Sequence, residues 1–158
     1  MTTTITAATM TVTLTEAISL NGYDQGSKNT LTIDNVVEVS KRIVTVTTSE
    51  AVIATFSAAV AAGNYIAANV RYIRFTNLDD TNFVTLTFRN QDNDEVAIKL
   101  DYGQSIILNG DNANGMTAVF NATEDADAAS SSNFGSLTNI QADADTASCD
   151  IEMFIASV

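Results

Sequence analysis

Residues 70–108 read VRYIRFTNLDDTNFVTLTFRNQDNDEVAIKLDYGQSIIL, and the alternation inside this stretch decides the fold. Ile73 and Phe75 share one side of a strand while Tyr72, Arg74 and Thr76 take the other. Val84, Leu86 and Phe88 alternate with Thr85, Thr87 and Arg89, and Val96, Ile98 and Leu100 alternate with Ala97, Lys99 and Asp101. Side chains in a strand have period two, so each segment has one face for a core and one for water. Antiparallel sheets show this pattern, whereas strands buried in parallel sheets read as continuous apolar runs. The spacers agree: Asn77–Asn82 and Asn90–Glu95 are rich in Asn and Asp, and Asp101–Gln104 holds Gly103. These residues tolerate left-handed backbone and bond locally, which is what turns need.

The same rhythm extends outward. Met10, Val12 and Leu14 alternate with Thr9, Thr11, Thr13 and Thr15; Ile140, Ala142 and Ala144 alternate with Gln141, Asp143 and Asp145; Ile151, Met153 and Ile155 oppose Glu152, Phe154 and Ala156. Asn109-Gly110-Asp111-Asn112 marks a further turn. Strands of about six residues with turns roughly every 8–12 residues predict an all-β fold, an antiparallel sandwich or barrel. Ser49–Gly63 (SEAVIATFSAAVAAG) is the exception, with Val52, Phe56 and Val60 at helical spacing, Ser49 as an N-cap and a closing Gly. Periodicity across residues 50–62 favours a helix and the neighbourhood favours a strand. The expectation is a strand at Ala51–Ser57 paired back on Ile43–Thr47, followed by an Ala-rich loop. Residues 1–15 are expected to be an arm or edge strand and 16–158 a single sandwich domain. Thr123–Asn133 (TEDADAASSSN) reads as a polar, acidic, mobile loop.

At 158 residues, 46% of them apolar, the chain can bury a core without disulfide or metal staples. The net charge of −12 argues against nucleic acid, because phosphate binding needs Lys and Arg, and equally against an anionic membrane surface. All seven bases fall in residues 1–99; the nine acids after them have no base among them, so one part of the folded molecule is expected to be strongly negative. MTTTITAATMTVTLTEA has neither a basic segment nor an apolar run of the kind a signal peptide needs.

Histidine is absent and Cys149 is the lone cysteine, so Ser-His and Cys-His nucleophiles and thiolate clusters are out of reach. Cys149 beside an apolar strand reads as a small core residue. Paired carboxylates remain the one catalytic route, since glycoside hydrolysis needs only two of them. Asp79 and Asp80 are adjacent in an Asn/Thr turn, which is ordinary turn chemistry. Asp92, Asp94 and Glu95, and Glu124, Asp125 and Asp127, offer hard oxygens for calcium, but neither group fits the EF-hand loop. No enzyme and no cofactor are expected. Tyr72 alternates onto the wet face near Arg71 and Arg74, and its plain reading is a packed residue at a sheet edge or subunit interface.

The stretch quoted first also resembles small jelly-roll virion proteins of tailed bacteriophages, the head-decoration or cement proteins. The resemblance is carried by "YIRFTN", then Asn-Leu-Asp, then "FVTLTF", then the strand pair of "KLDYGQSIIL". Leu137–Ser157 (LTNIQADADTASCDIEMFIAS) resembles the last two strands of such proteins, while residues 1–69 match less clearly. The resemblance implies a jelly-roll sandwich with an extended N-terminal arm and a structural role on the outer surface of a capsid. Its partners would be the major capsid protein and further copies of itself, as a homotrimer by analogy. Its location would be the virion, after synthesis in the host cytoplasm. An unpaired Thr-rich edge invites strand addition. Ile5, Met10 and Val12 of the arm, with Arg71, Tyr72 and Arg74, are therefore the expected capsid or subunit interface. The alternative is a tail-fibre or virion-surface β-module that binds a host glycan; the missing Trp counts against it.

Overall fold

The computed structural model describes residues 4–120 and 135–158, so the loop expected at Thr123–Asn133, with Glu124, Asp125 and Asp127, lies outside the described residues. The chain divides into two compact units, Met1–Glu38 with Val158, and Val39–Ser157. The first is a ribbon. Strands β1 (Ala8–Glu16) and β4 (Ser27–Val36) pair antiparallel, from Met10 opposite Ile33 to Glu16 opposite Ser27. Between them β2 (Ser19–Leu20) and β3 (Tyr23–Asp24) form a small hairpin. Asn21 (φ 52°) and Gly22 (φ 82°) supply its turn, the left-handed pair that a two-residue hairpin loop requires.

The β1–β4 register sets Met10, Val12 and Leu14 beside Ile33 and Leu31 on one side, and Thr11 and Thr13 opposite Thr32 and Thr30 on the other. Alternation alone assigned Met10, Val12 and Leu14 to a core. Instead Met10 and Val12 are half-buried and Leu14 is exposed, because a two-stranded ribbon has no second layer of its own. The expected arm of residues 1–15 is thus largely one strand of this hairpin, and the boundary expected at residue 16 falls inside it.

The second unit is the sandwich. Its strands are β5 (Glu38–Val46), β6 (Ala51–Ser57), β7 (Asn64–Ile66), β8 (Val70–Asn77), β9 (Val84–Asn90), β10 (Glu95–Leu100), β11 (Ser105–Asn109), β12 (Leu137–Ala144) and β13 (Cys149–Ser157). A four-stranded sheet runs β11-β8-β13-β5 and a five-stranded sheet runs β10-β9-β12-β6-β7. Except at the β9–β10 hairpin, each long strand lies in the other sheet from the long strand before it. β7 runs parallel to β6, whereas β10 with β9, β9 with β12, β12 with β6, β11 with β8 and β8 with β13 are antiparallel. The buried alternate residues of both sheets, Ile73, Phe75, Ile151 and Met153 from one and Leu86, Phe88 and Ile140 from the other, form one continuous core.

Ala51–Ser57 is a strand, as the all-β neighbourhood predicted, and Ala58–Ala62 is an exposed loop. The expected pairing on Ile43–Thr47 does not occur. β6 pairs with β12 and β7, because Thr47–Glu50 carries the chain across from one sheet to the other. Two polar links then tie the sheets: Arg42 Nη2 donates to the carbonyl of Ile53, and Tyr65 Oη donates to Ser40 Oγ at 2.9 Å.

Segregation of acids along the chain does not become segregation between sheets. β12 sits between β9 and β6, and β13 sits between β8 and β5, so the base-free C-terminal segment is woven through the centre of both. Among the described residues no helix is long and apolar enough to cross a membrane.

Candidate interaction surface

The outer face of the four-stranded sheet is where the sequence-predicted residues of the sandwich meet. Register places Thr76, Arg74 and Tyr72 of β8 opposite Ser105, Ile107 and Asn109 of β11 on one flank. On the other flank they face Glu152, Phe154 and Ala156 of β13. Period two adds Val39, Lys41, Ile43 and Thr45 from β5, since Val44 and Val46 point into the core. Arg74 binds Glu152 and also Thr76, and Lys41 Nζ reaches the other oxygen of Glu152 at 3.2 Å. Thr45 Oγ1 donates to Asp150 Oδ1 at 2.7 Å. Two cations therefore share one carboxylate, and they hold Glu152 below the usual carboxylate range, chiefly through their hydrogen bonds.

Around this cluster the sheet presents apolar side chains to solvent: Val39 at 52%, Ile43 at 62% and Ile107 at 37% of full exposure. Exposed aliphatic side chains thus stand beside an Arg held by a carboxylate, and Arg is enriched at interfaces.

Tyr72 bears out its packed reading and corrects the sheet-edge one. It shares the outer face with Arg74 but is only 4% exposed, with its ring edge-on to Phe154 at 5.9 Å between centroids. Nor is it at an edge, since β8 lies between β11 and β13. Burial raises its phenol above the ordinary value, against the pull of nearby Arg74. Arg71 falls on the alternate parity, where Nη1 donates to the carbonyl of Ala68 at 2.6 Å. Arg74 is thus the functional candidate of the three, Tyr72 a packing residue and Arg71 a brace for the turn before β8. Of the ribbon residues, Ile5 is 68% exposed and precedes β1, while Met10 and Val12 lie on β1.

Asp79, Asp111 and Asn90 each commit a side-chain oxygen to the backbone of their own turn. Asp79 Oδ1 accepts from Thr81 N at 2.8 Å and Asn82 N at 2.6 Å, bonds that lower its pKa. Asp111 Oδ1 does the same for Ala113 and Asn114, at 2.9 and 2.7 Å. Asn90 Oδ1 accepts from Asp92 N and Asp94 N at 2.8 and 2.7 Å. Among the described residues no group of three or more carboxylates or thiols is placed to hold a metal ion. Cys149 is fully buried, with its thiol pushed above the ordinary range by burial first and nearby carboxylates second.

Sequence reasoning missed Lys41, Glu152 and Ile43. Glu152 lies 78 residues from its partner Arg74, and no local pattern joins two strands that far apart.

No family model matches the chain, and no curated protein does. The fold is similar, at a TM-score of 0.44 and 12% identity over 77% of this chain and 85% of the other, to a solved structure of a Bacillus endospore appendage, described as a novel family of disulfide-linked pili. A likeness that low carries no argument about what this chain does.

Proposed function

We propose that the protein is a structural virion protein that decorates or cements a bacteriophage capsid, binding the outer surface of the major capsid shell without catalysis. The observation that carries the reading is the outer face of the four-stranded sheet, where Val39, Ile43 and Ile107 surround the Arg74–Glu152–Lys41 cluster. Such a face is preorganised by its strands and needs no ordering on binding, which keeps the entropic cost of association low. The alternation of successive strands between two sheets is the wind that a jelly roll requires, and it supports that finer description. The resemblance of residues 70–108 and 137–157 to decoration proteins points to a capsid as the surface bound. The acids of the turns would then face solvent, and copies of the chain, three in all by analogy, would share the site.

Mass spectrometry and electron cryo-microscopy of the particle test this. Hundreds of copies on the head are expected, reduced or lost when Ile43→Asp places a charge on the face. A handful of copies at the tail, with binding on a glycan array, would overturn the reading in favour of a fibre module.

A further inference from the structure

The free edge of β1 is not used by the surface just described. β1 and β4 form a two-stranded sheet, so among the described residues the outer edge of β1 meets no strand. A two-stranded ribbon is marginal in water, and protein edges are normally blunted by charge, Pro or bulges. From Thr9 to Thr15 β1 carries no ionised side chain and no Pro, and its register with β4 is unbroken from Met10 to Glu16. Beside it Leu14 is 51% and Leu31 39% exposed.

We propose that β1 is a self-pairing strand: two copies of the chain join antiparallel along this edge, centred on Val12, as a four-stranded sheet β4-β1-β1-β4. The strand is its own complement in that register. Val12 meets the partner's Val12, Met10 meets the partner's Leu14, Thr11 meets the partner's Thr13 and Thr9 meets the partner's Thr15. Aliphatic pairs line one side and Thr–Thr pairs the other, both favourable across strands. A slip by one residue sets Thr against every aliphatic side chain. Glu16, the one ionised residue of β1, meets the partner's Ala8 and not another carboxylate.

The occupant follows from charge as well. Copies of a chain with net charge −12 repel wherever their acids face, whereas Thr9–Thr15 and Asn29–Ile33 carry no ionised side chain, with Asp34 (bonded to Thr9) and Lys28 (opposite Thr15) at their two ends. The contact is two-fold and isologous, so it links copies two by two whatever number a particle groups together. It stands on the ribbon alone and does not depend on a capsid being the surface bound.

Cysteine placement in the full chain tests it. Val12→Cys should give a covalent dimer on mild oxidation, because opposite positions in an antiparallel pair lie within disulfide reach. Thr9→Cys alone should not, since the two thiols would sit six residues apart, about 20 Å. Thr9→Cys mixed with Thr15→Cys should. The wild type, with Cys149 buried, is the blank. Charge exchange is the second arm: Val12→Lys and Val12→Glu should each sediment as half the wild-type assembly with unchanged circular dichroism, and their mixture should restore it. A wild type that stays monomeric at its highest soluble concentration would overturn the proposal. So would cross-linking of Thr9→Cys alone as readily as Val12→Cys.

Discussion

The side-chain amide of Asn77 donates to the carbonyl of Leu100 at 3.1 Å, from a residue that is wholly buried at the end of β8. The same Nδ2 donates to Asn82 O at 2.9 Å, and Oδ1 accepts from Asp79 N at 3.0 Å. Its backbone accepts from Gly103 N at 3.1 Å and donates to Gln104 O at 2.9 Å. One residue thereby fastens the β8–β9 turn, the end of β10 and the β10–β11 turn. Asn77→Ala strips partners from buried groups and should lower stability by about 1–3 kcal/mol. The urea midpoint should fall with an unchanged slope.

Ser157 predicts the opposite sign. Its hydroxyl is buried and has no hydrogen-bond partner among the described residues. Ser157→Ala removes an unsatisfied group at little cost in volume and should raise the urea midpoint, by up to about 1 kcal/mol.

Gly115 is held at φ 57°, and a Cβ there would stand 2.5 Å from Ala67 O and 2.6 Å from Ala68 O. Backbone cannot yield as a flexible side chain would. Gly115→Ala should cost at least about 1–3 kcal/mol. A melting temperature equal to the wild type would refute this account of the turn.

Glu152 makes the fold acid-sensitive. Its pKa is lower in the folded state than in the unfolded chain, so its contribution is present in full above the unfolded carboxylate range. The contribution is lost as pH falls through the lower, folded value. Glu152→Gln should lower stability at pH 7 and flatten its fall between about pH 5 and pH 3 relative to the wild type. Denaturant titrations at both ends of that window measure it.

Cys149 is buried with a raised pKa, and the thiolate is the reactive form. A neutral thiol reagent should leave it unmodified in the native protein and label it on unfolding in urea. Rapid native labelling at pH 7 would contradict the burial.

The strands were legible because a buried face imposes period two, and Val84–Phe88 or Ile151–Ile155 carry it without interruption. Cys149 was legible for the same reason. Ala51–Ser57 was legible only through its neighbours, as Val52, Phe56 and Val60 fit a helix equally well. Which sheet each strand joins was not legible: β5 and β6 look like a hairpin, and only long-range pairing with β13 and β12 separates them. The Arg74–Glu152–Lys41 cluster and the burial of Tyr72 were hidden for that reason. The ribbon misled in another way, since alternation reports a two-faced strand and does not say what covers the apolar face.

Placing β12 and β13 at the centre of their sheets has a consequence in time. Until they are synthesised, β8 with β11 and β5 have no shared neighbour, and neither do β9 with β10 and β6 with β7. Neither sheet can close before its joining strand, β12 in one and β13 in the other, has been made, and Thr45 waits for Asp150, 105 residues later. Such non-local closure is slow, and it exposes unpaired edges while it lasts. The ribbon, whose strands are neighbours in sequence, can form first. A ribosome-bound chain that stops before β13 should therefore be protease-sensitive across the four-stranded sheet, and synthesis of β13 acts as the step that commits that sheet to its fold.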